Sequence, residues 1–505
     1  MNRHPHAPAA YRSAPPEWSR TAFRLDTRSL AAARILLGTL LVVDACLRAT
    51  TAATTLGPEG ILPPDLARRF VGHPWSWSLM FLDDSSAWAT TGLALQGVAG
   101  ALLAAGFATP IATTLAWVAV VSVVRRTAPM TNAGDVFLVS LLFWGQFLPW
   151  GAVWSVDARR RGTPGPREVR GVGAWAFLLQ VAAVYVSAGL GKWNDIWWSG
   201  DAVAYALSVH DHGTPLGAAV AESGLPARLL TWGTLALELA GPPLLLFPAA
   251  RPALVAVFVA FHAAIALTMD VCLFPWVGIA AWLALLPGST WDRAWPGSMA
   301  VGAGCVGTPR SMLGSTACVA GLAVAATAFV HTHGPRADAP LPETVLRLVQ
   351  VTFLEQDWRV FGEIRRQRQW VYALAELADG ESIDLLRPGR PLETVLPAGG
   401  FHSIGDQRLQ KLLWEIPKPD RRPFAPHLAA VLAREWNVAH PPDRQVVSLE
   451  LHGARRLDVP EQGVVQDVLL ASWPPRSPGG RGALERFLRE NDVPSGGTEG
   501  RPPQE

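Results

Sequence analysis

The sequence predicts an all-α polytopic membrane helix bundle of about nine transmembrane helices, followed by a small α+β extramembrane domain. Three observations carry that expectation. Hydrophobic residues make up 50% of the 505 and charged residues only 17%, with a mean hydropathy of +0.21, too little charge for a soluble chain to cover its surface. Apolar segments long enough to cross a hydrocarbon core of about 30 Å follow one another from residue 29 to about 331. From residue 335 the chain becomes charged and proline-broken, with no long apolar run.

Residues 1–28 are a polar segment carrying Arg3, Arg12, Arg20, Arg24 and Arg28. No small-residue cleavage site follows the first apolar run, which is expected to remain as a span rather than leave as a signal peptide. Spans are expected near 29–47, 86–106, 108–124, 135–153, 172–191, 227–247, 252–269, 272–287 and 312–331. The second and third nearly abut and the eighth is short, so eight or seven is the alternative count. The loop after the fourth span holds Arg159, Arg160, Arg161, Arg167 and Arg170. Together with the N-terminal arginines it marks the cytoplasmic side of a multi-pass cell-membrane protein. The loop that begins at Lys192 and the C-terminal domain then lie on the outer side, and Arg125 and Arg126 alone oppose this scheme.

The soluble part is read as residues 335–475. The stretch WVYALAELADGESIDLL alternates as a strand and turns at Asp379 and Gly380. Helices near 404–416 and 425–438 and a strand near 445–451 complete the α+β reading. Residues 476–505, rich in proline, glycine and charge, are expected to be disordered. Cys46, Cys272, Cys305 and Cys318 show no paired spacing, so neither a disulfide framework nor a metal site is expected. No basic patch interleaved with aromatics occurs, and nucleic acid is not an expected partner. The lipid bilayer is.

Lys192 is the only lysine before Lys411 and Lys418. Elsewhere positive charge is arginine, which stays protonated, whereas a buried ammonium can titrate and act as a base. The plainer reading is a helix-end lysine that snorkels to the membrane surface. Arg34 and Asp44 lie ten residues apart in the first span, too far to pair with each other, so each needs a partner elsewhere, with helix packing as the plainer role. Gln96, Asp135, Gln146, Gln180, Glu238 and His262 add polar groups to other spans, and such groups should face a common interior. Glu238 and His262 are plausible partners for each other or for Lys192, although a lone histidine is more often a packing residue. Trp193, Trp197 and Trp198 suit an interfacial belt, or a cation–π environment for the lysine.

The order of landmarks LLGTLLVVDACLR, GPEGILPP, NAGDVFLVSLLFWGQFLPWGAVWSVDA, QVAAVYVSAGLGKWNDIWWSGDAV, LALELAGPPLL and FHAAIALTMDVCLFPW resembles the HTTM family. That is the membrane domain shared with vitamin K-dependent gamma-glutamyl carboxylases. The resemblance covers residues 25–330, and the C-terminal part looks like the extension of bacterial members of unassigned function. In those carboxylases the lysine after the Tyr and Ala-Gly of such a segment deprotonates vitamin K hydroquinone, so that oxygen attacks and the resulting alkoxide removes a glutamyl γ proton. Lys192 matches that lysine, downstream of Tyr185 and Ala188, and Trp197 and Gly200 match the residues that follow. His262 matches the histidine before the Phe-Pro turn, here Phe274 and Pro275.

Two positions depart from the carboxylase pattern. Gly191 stands where it has a second lysine, and Thr131, Asn132, Ala133 and Gly134 lack its Asn-Asn-His histidine. The resemblance implies a carboxylase-like enzyme using Lys192 as base and His262 in support, with Tyr185, Trp197 and Gly200 lining the pocket. Reduced vitamin K or another quinone is then the implied cofactor and a glutamyl peptide the substrate. The alternative is a non-enzymatic membrane protein that binds a lipid, a quinone or a partner protein. A third reading is a small-solute transporter, hinted at by the broken helix at Gly241, Pro242 and Pro243, though no inverted repeat is visible.

Overall fold

The computed structural model describes residues 23–475 apart from 209–211, 296–300, 336, 338, 365, 395, 398 and 458–464. Arg3, Arg12, Arg20 and the C-terminal tail therefore lie outside the described residues. All nine apolar segments are helical: α1 (Thr27–Ala49), α2 (Ser86–Ala105), α3 (Thr109–Arg126), α4 (Ala133–Gly145), α5 (Val172–Gly191), α6 (Leu225–Leu244), α7 (Arg251–Thr268), α8 (Phe274–Leu283) and α9 (Met312–His333). Only five of them, α1, α2, α5, α7 and α9, are long and apolar enough to cross a membrane. The other four of the expected nine fall short by this measure of length and composition. α4 and α8 are short, while α3 carries Arg125 and Arg126, and α6 carries Arg228, Glu238, Pro242 and Pro243.

Local chemistry explains the shortened α4. It starts on a capping box in which Asn132 and Asp135 satisfy each other's backbone N–H groups. It stops at Gly145, where the Trp150 indole folds back so closely that a Cβ would stand 2.0 Å from the ring, and Pro149 prevents continuation. α1 and α2 are held together by glycines. A Cβ on Gly38 would meet the Ala104 backbone nitrogen at 2.5 Å, and one on Gly100 would meet the Leu41 Cβ at 2.7 Å, a small-residue contact of the kind that lets membrane helices approach closely.

The connections segregate to two ends of the bundle. At one end β1 (Leu25–Asp26), β2 (Pro166–Arg170) and β3 (Gly302–Gly307) form a three-stranded sheet in that order, with β1 antiparallel and β3 parallel to β2. No alternating apolar pattern marks these three short strands in the sequence. Asp157 caps α3 there by accepting from the Ala108 and Thr109 N–H groups at 2.9 and 2.7 Å, and Arg28 pairs with Asp292 at 2.9 Å. At the other end Arg126 donates to the Leu56 carbonyl at 2.7 Å, Arg48 to Thr127, and Gly213 bridges Met269.

The C-terminal part meets the second end. It comprises α10 (Glu343–Thr352), an irregular segment, the antiparallel sheet β5-β4-β6-β7 and two helices, α11 (Gln407–Glu415) and α12 (Ala425–Ala439). The strands are β4 (Gln367–Leu377), β5 (Ser382–Asp384), β6 (Val446–Leu457) and β7 (Val465–Trp473). Alternation places Val371, Ala373 and Ala375 of β4 in one core with Leu412 and Leu428 of the helices, and Trp370, Tyr372 and Leu374 on the opposite face. Phe353, Leu354 and Trp358, from the irregular segment, belong instead to the core of the bundle.

Candidate functional site

Lys192 is the C-cap residue of α5 and only 3% exposed. Its Nζ lies 2.9 Å from Glu238 Oε2 of α6 and 5.1 Å from the Trp197 ring centre. Among the described residues Oε2 receives no hydrogen bond of good geometry, so the pair is held by charge and proximity. The ammonium donates to the Val360 carbonyl at 2.7 Å and, more weakly, to Ala188 O at 3.4 Å. Two neighbours repeat the pattern. Trp197 Nε1 donates to Phe361 O at 3.0 Å and Asn194 Nδ2 to Gly362 O at 2.7 Å. Three consecutive main-chain carbonyls of the C-terminal part are thus held by side chains of one short stretch after α5.

Upstream, the same segment is fixed by a buried amide network. Gln180 and Gln356 exchange hydrogen bonds at 3.1 Å, the Trp144 and Trp358 indoles donate to them, and the Trp358 N–H donates to Ser187 Oγ at 3.0 Å. Gly191 is needed for this approach, because a Cβ there would stand 2.8 Å from the Arg359 Cβ. Gly200 has φ +86°, the left-handed region, with Arg228 and Trp232 at 3.1 Å from any added Cβ.

His262 is fully buried in a separate pair, its Nε2 2.6 Å from the Tyr185 hydroxyl. Nδ1 has no partner among the described residues, and Gly278 leaves the space the ring occupies. Phe258 and Trp282 stack on one another beside Tyr185. The direct contacts are thus Lys192 with Glu238 and His262 with Tyr185, and Glu238 lies within electrostatic range of the Tyr185 hydroxyl.

Arg34 and Asp44 lie at opposite ends of α1. Arg34 donates to the carbonyls of Leu103, Ala104, Trp150 and Trp154 at 2.5–3.0 Å, so its partners are backbone groups, including the C-terminal carbonyls of α2. Asp44 pairs with Arg48 at 2.8 Å, accepts from Gln96 at 2.9 Å and meets Arg408 of α11. Asp135 binds both arginines, each at 3.0 Å.

Between the bundle and the C-terminal part lies a cavity of about 1260 Å³. Asn132, Val136, Leu190, Asp270 and Phe274 line its bundle side and Gln407, Gln410 and Trp414 the opposite one. Leu190, Gly191 and Asn194 reach it, whereas Lys192, Tyr185, Glu238 and His262 do not line it. Among the described residues no cluster of metal-ligating side chains occurs. Sequence reasoning missed this cavity and its Gln367, Gln369, Gln407 and Gln410, since exposed-looking glutamines in a soluble stretch carry no signal of their own.

Residues 86–291 match the model of the HTTM domain. The chain carries an HTTM domain. No curated protein and no solved structure matches the chain. Tyr185, Lys192, Trp197, Gly200, Glu238 and His262 all fall within the HTTM domain, whereas Arg34 and Asp44 precede it and the segment carrying Trp358 follows it.

Proposed function

We propose that this is a multi-pass cell-membrane protein that binds a lipid- or quinone-like amphiphile in the cavity between its HTTM domain and its C-terminal domain. The carrying observation is the cavity itself, whose lining mixes apolar groups such as Val136, Leu190, Phe274 and Trp414 with polar ones such as Asn132, Asp270, Gln407 and Gln410, a composition suited to an amphiphilic molecule. Nine crossings with a cytoplasmic N-terminus and an outer C-terminal domain fit the two-ended segregation of the loops. The exposed Arg159, Arg160 and Arg161 support that orientation. Arg125 and Arg126, the opposing pair, have internal partners in Glu355, Gln350 and Leu56.

A base must reach the proton it removes, and neither Lys192 nor His262 lines this cavity. That favours binding over catalysis. The base reading retains one supporting observation, the contact of Lys192 with a carboxylate that could take its proton. Native mass spectrometry of the protein released from nanodiscs tests the binding reading. A retained amphiphile is expected, lost when Ala133→Trp and Ala206→Trp fill the cavity. Absence of any retained or added amphiphile, together with epoxide formation from vitamin K hydroquinone that Lys192→Arg abolishes, would reverse the choice.

A further inference from the structure

The polar side of the cavity has a definite hydrogen-bonding character. Gln369 Nε2 donates to Trp414 O and Gln407 Nε2 to Asp270 Oδ1, both at 2.9 Å, and Gln410 Nε2 donates to Ile404 O. Each amide uses one of its two N–H groups within the protein. The three carbonyl oxygens have no partner among the described residues, and Gln367 has none for either end of its amide. Each of these amides therefore presents an accepting oxygen and a free N–H, which a hydroxyl, donor and acceptor at once, matches and a group carrying acceptors only does not.

Charge is balanced once Glu415, just behind the lining, is counted with it. Arg359 pairs with Asp357 at 2.6 Å, and Lys411, Lys418 and Arg421 converge on Glu415. Asp270 is held by His402 and Gln407, and Glu363 supplies the fourth carboxylate. His212 adds no charge at neutral pH, because burial and Lys411 hold it near 4. An anionic headgroup brings acceptors where acceptors already stand, beside Asp270 and Glu363. A quinone ring also offers carbonyl acceptors. The half-buried Trp414, with the Phe401 ring edge-on at 5.6 Å and the His212 ring tilted at 5.4 Å, adds a flat apolar face.

We infer that the polar end of the cavity takes a neutral polyhydroxylated ring, the sugar headgroup of a membrane glycolipid, with its hydroxyls on the glutamine oxygens and its C–H face on Trp414. This rests on the reading that the cavity binds an amphiphile. The test uses the full chain in phosphatidylcholine nanodiscs free of sugar detergents, with four probes: monoglucosyl diacylglycerol, free maltose, phosphatidylglycerol and a short-chain quinone. The glycolipid is expected to bind, and Gln407→Leu and Trp414→Ala to weaken it at least tenfold. Gln367→Leu, at a half-buried position with no partner to lose, should weaken it several-fold with the melting temperature unchanged, which separates recognition from misfolding. Equal binding of maltose would keep the ligand class and assign it a soluble source. Binding of phosphatidylglycerol or the quinone without the glycolipid, or glycolipid binding indifferent to all three substitutions, overturns the inference and leaves the cavity reading standing. Failure of all four probes overturns both.

Discussion

An ammonium is a compact charge with three N–H groups, and Lys192 sets that charge against a carboxylate while donating to two carbonyls on different elements. A planar guanidinium does not reproduce that arrangement, which gives a structural reason for a lysine in an arginine-biased chain. Lys192→Met should leave Glu238 buried and unpaired, at a cost of roughly 3–5 kcal/mol. The double change Lys192→Met with Glu238→Leu should recover most of it. Thermal unfolding in detergent checks both, and equal losses in the single and double variants would show that the two residues are not coupled. His212 provides a pH test. Its folded-state pKa is depressed to about 4 from an ordinary 6.5, so the unfolded chain binds the proton first and stability falls as pH drops from 6.5 toward 4. In His212→Asn that part of the acid destabilisation should disappear, visible as a flatter melting temperature across the window. At this scale the sequence was informative about which residues are unusual, Lys192 and Glu238 among them. It was silent on the partition, because the order of helices around a bundle is not encoded in hydropathy and nothing ties His262 to Tyr185 rather than to Lys192.

The irregular segment between α10 and β4 behaves as an element in its own right. It has no repeating pattern because its contacts are made by carbonyls and by a few isolated side chains, and a carbonyl leaves no trace in a sequence. Its counterpart was legible only as an anomaly: Gly191 stands where the carboxylase pattern has lysine, and the structure gives the reason in the contact with Arg359. Gly191→Lys should dislodge residues 357–362 and expose Arg359 and Arg366 to trypsin, whereas the parent resists. Trp358→Ala, which removes a buried indole packed on Phe137, should cost about 3–5 kcal/mol and produce the same cleavage. Unchanged proteolysis in both would mean that the segment is fixed by other contacts. The nine helices themselves were legible from apolar runs to within a few residues, except where α4 and α8 end early. There proline and a back-folded indole terminate the helix inside a stretch that remains apolar.

For the molecule as a whole, the division into a membrane part and a soluble part is visible in composition, but the soluble part also completes the bundle. Asp44 and Asp135 carry two negative charges at the end of α1 and the start of α4, and Arg48 alone supplies one positive charge against them; Arg408 of α11 supplies the second. Removing that guanidinium leaves an excess buried charge, a strongly destabilising change even though the bonds from Arg48, Gln96 and the Asn132 N–H persist. Arg408→Leu in the full chain should therefore lower stability by about 3 kcal/mol or more and loosen the two parts, seen as faster amide exchange in both the α1–α4 end and α11. Adding Asp44→Asn should restore charge balance, since Arg48 then faces Asp135 alone, and return much of the lost melting temperature. An Arg408→Leu variant with parental exchange rates would show instead that the cavity walls are held apart and together by the residue 353–362 segment, with the ionic network contributing nothing to the coupling.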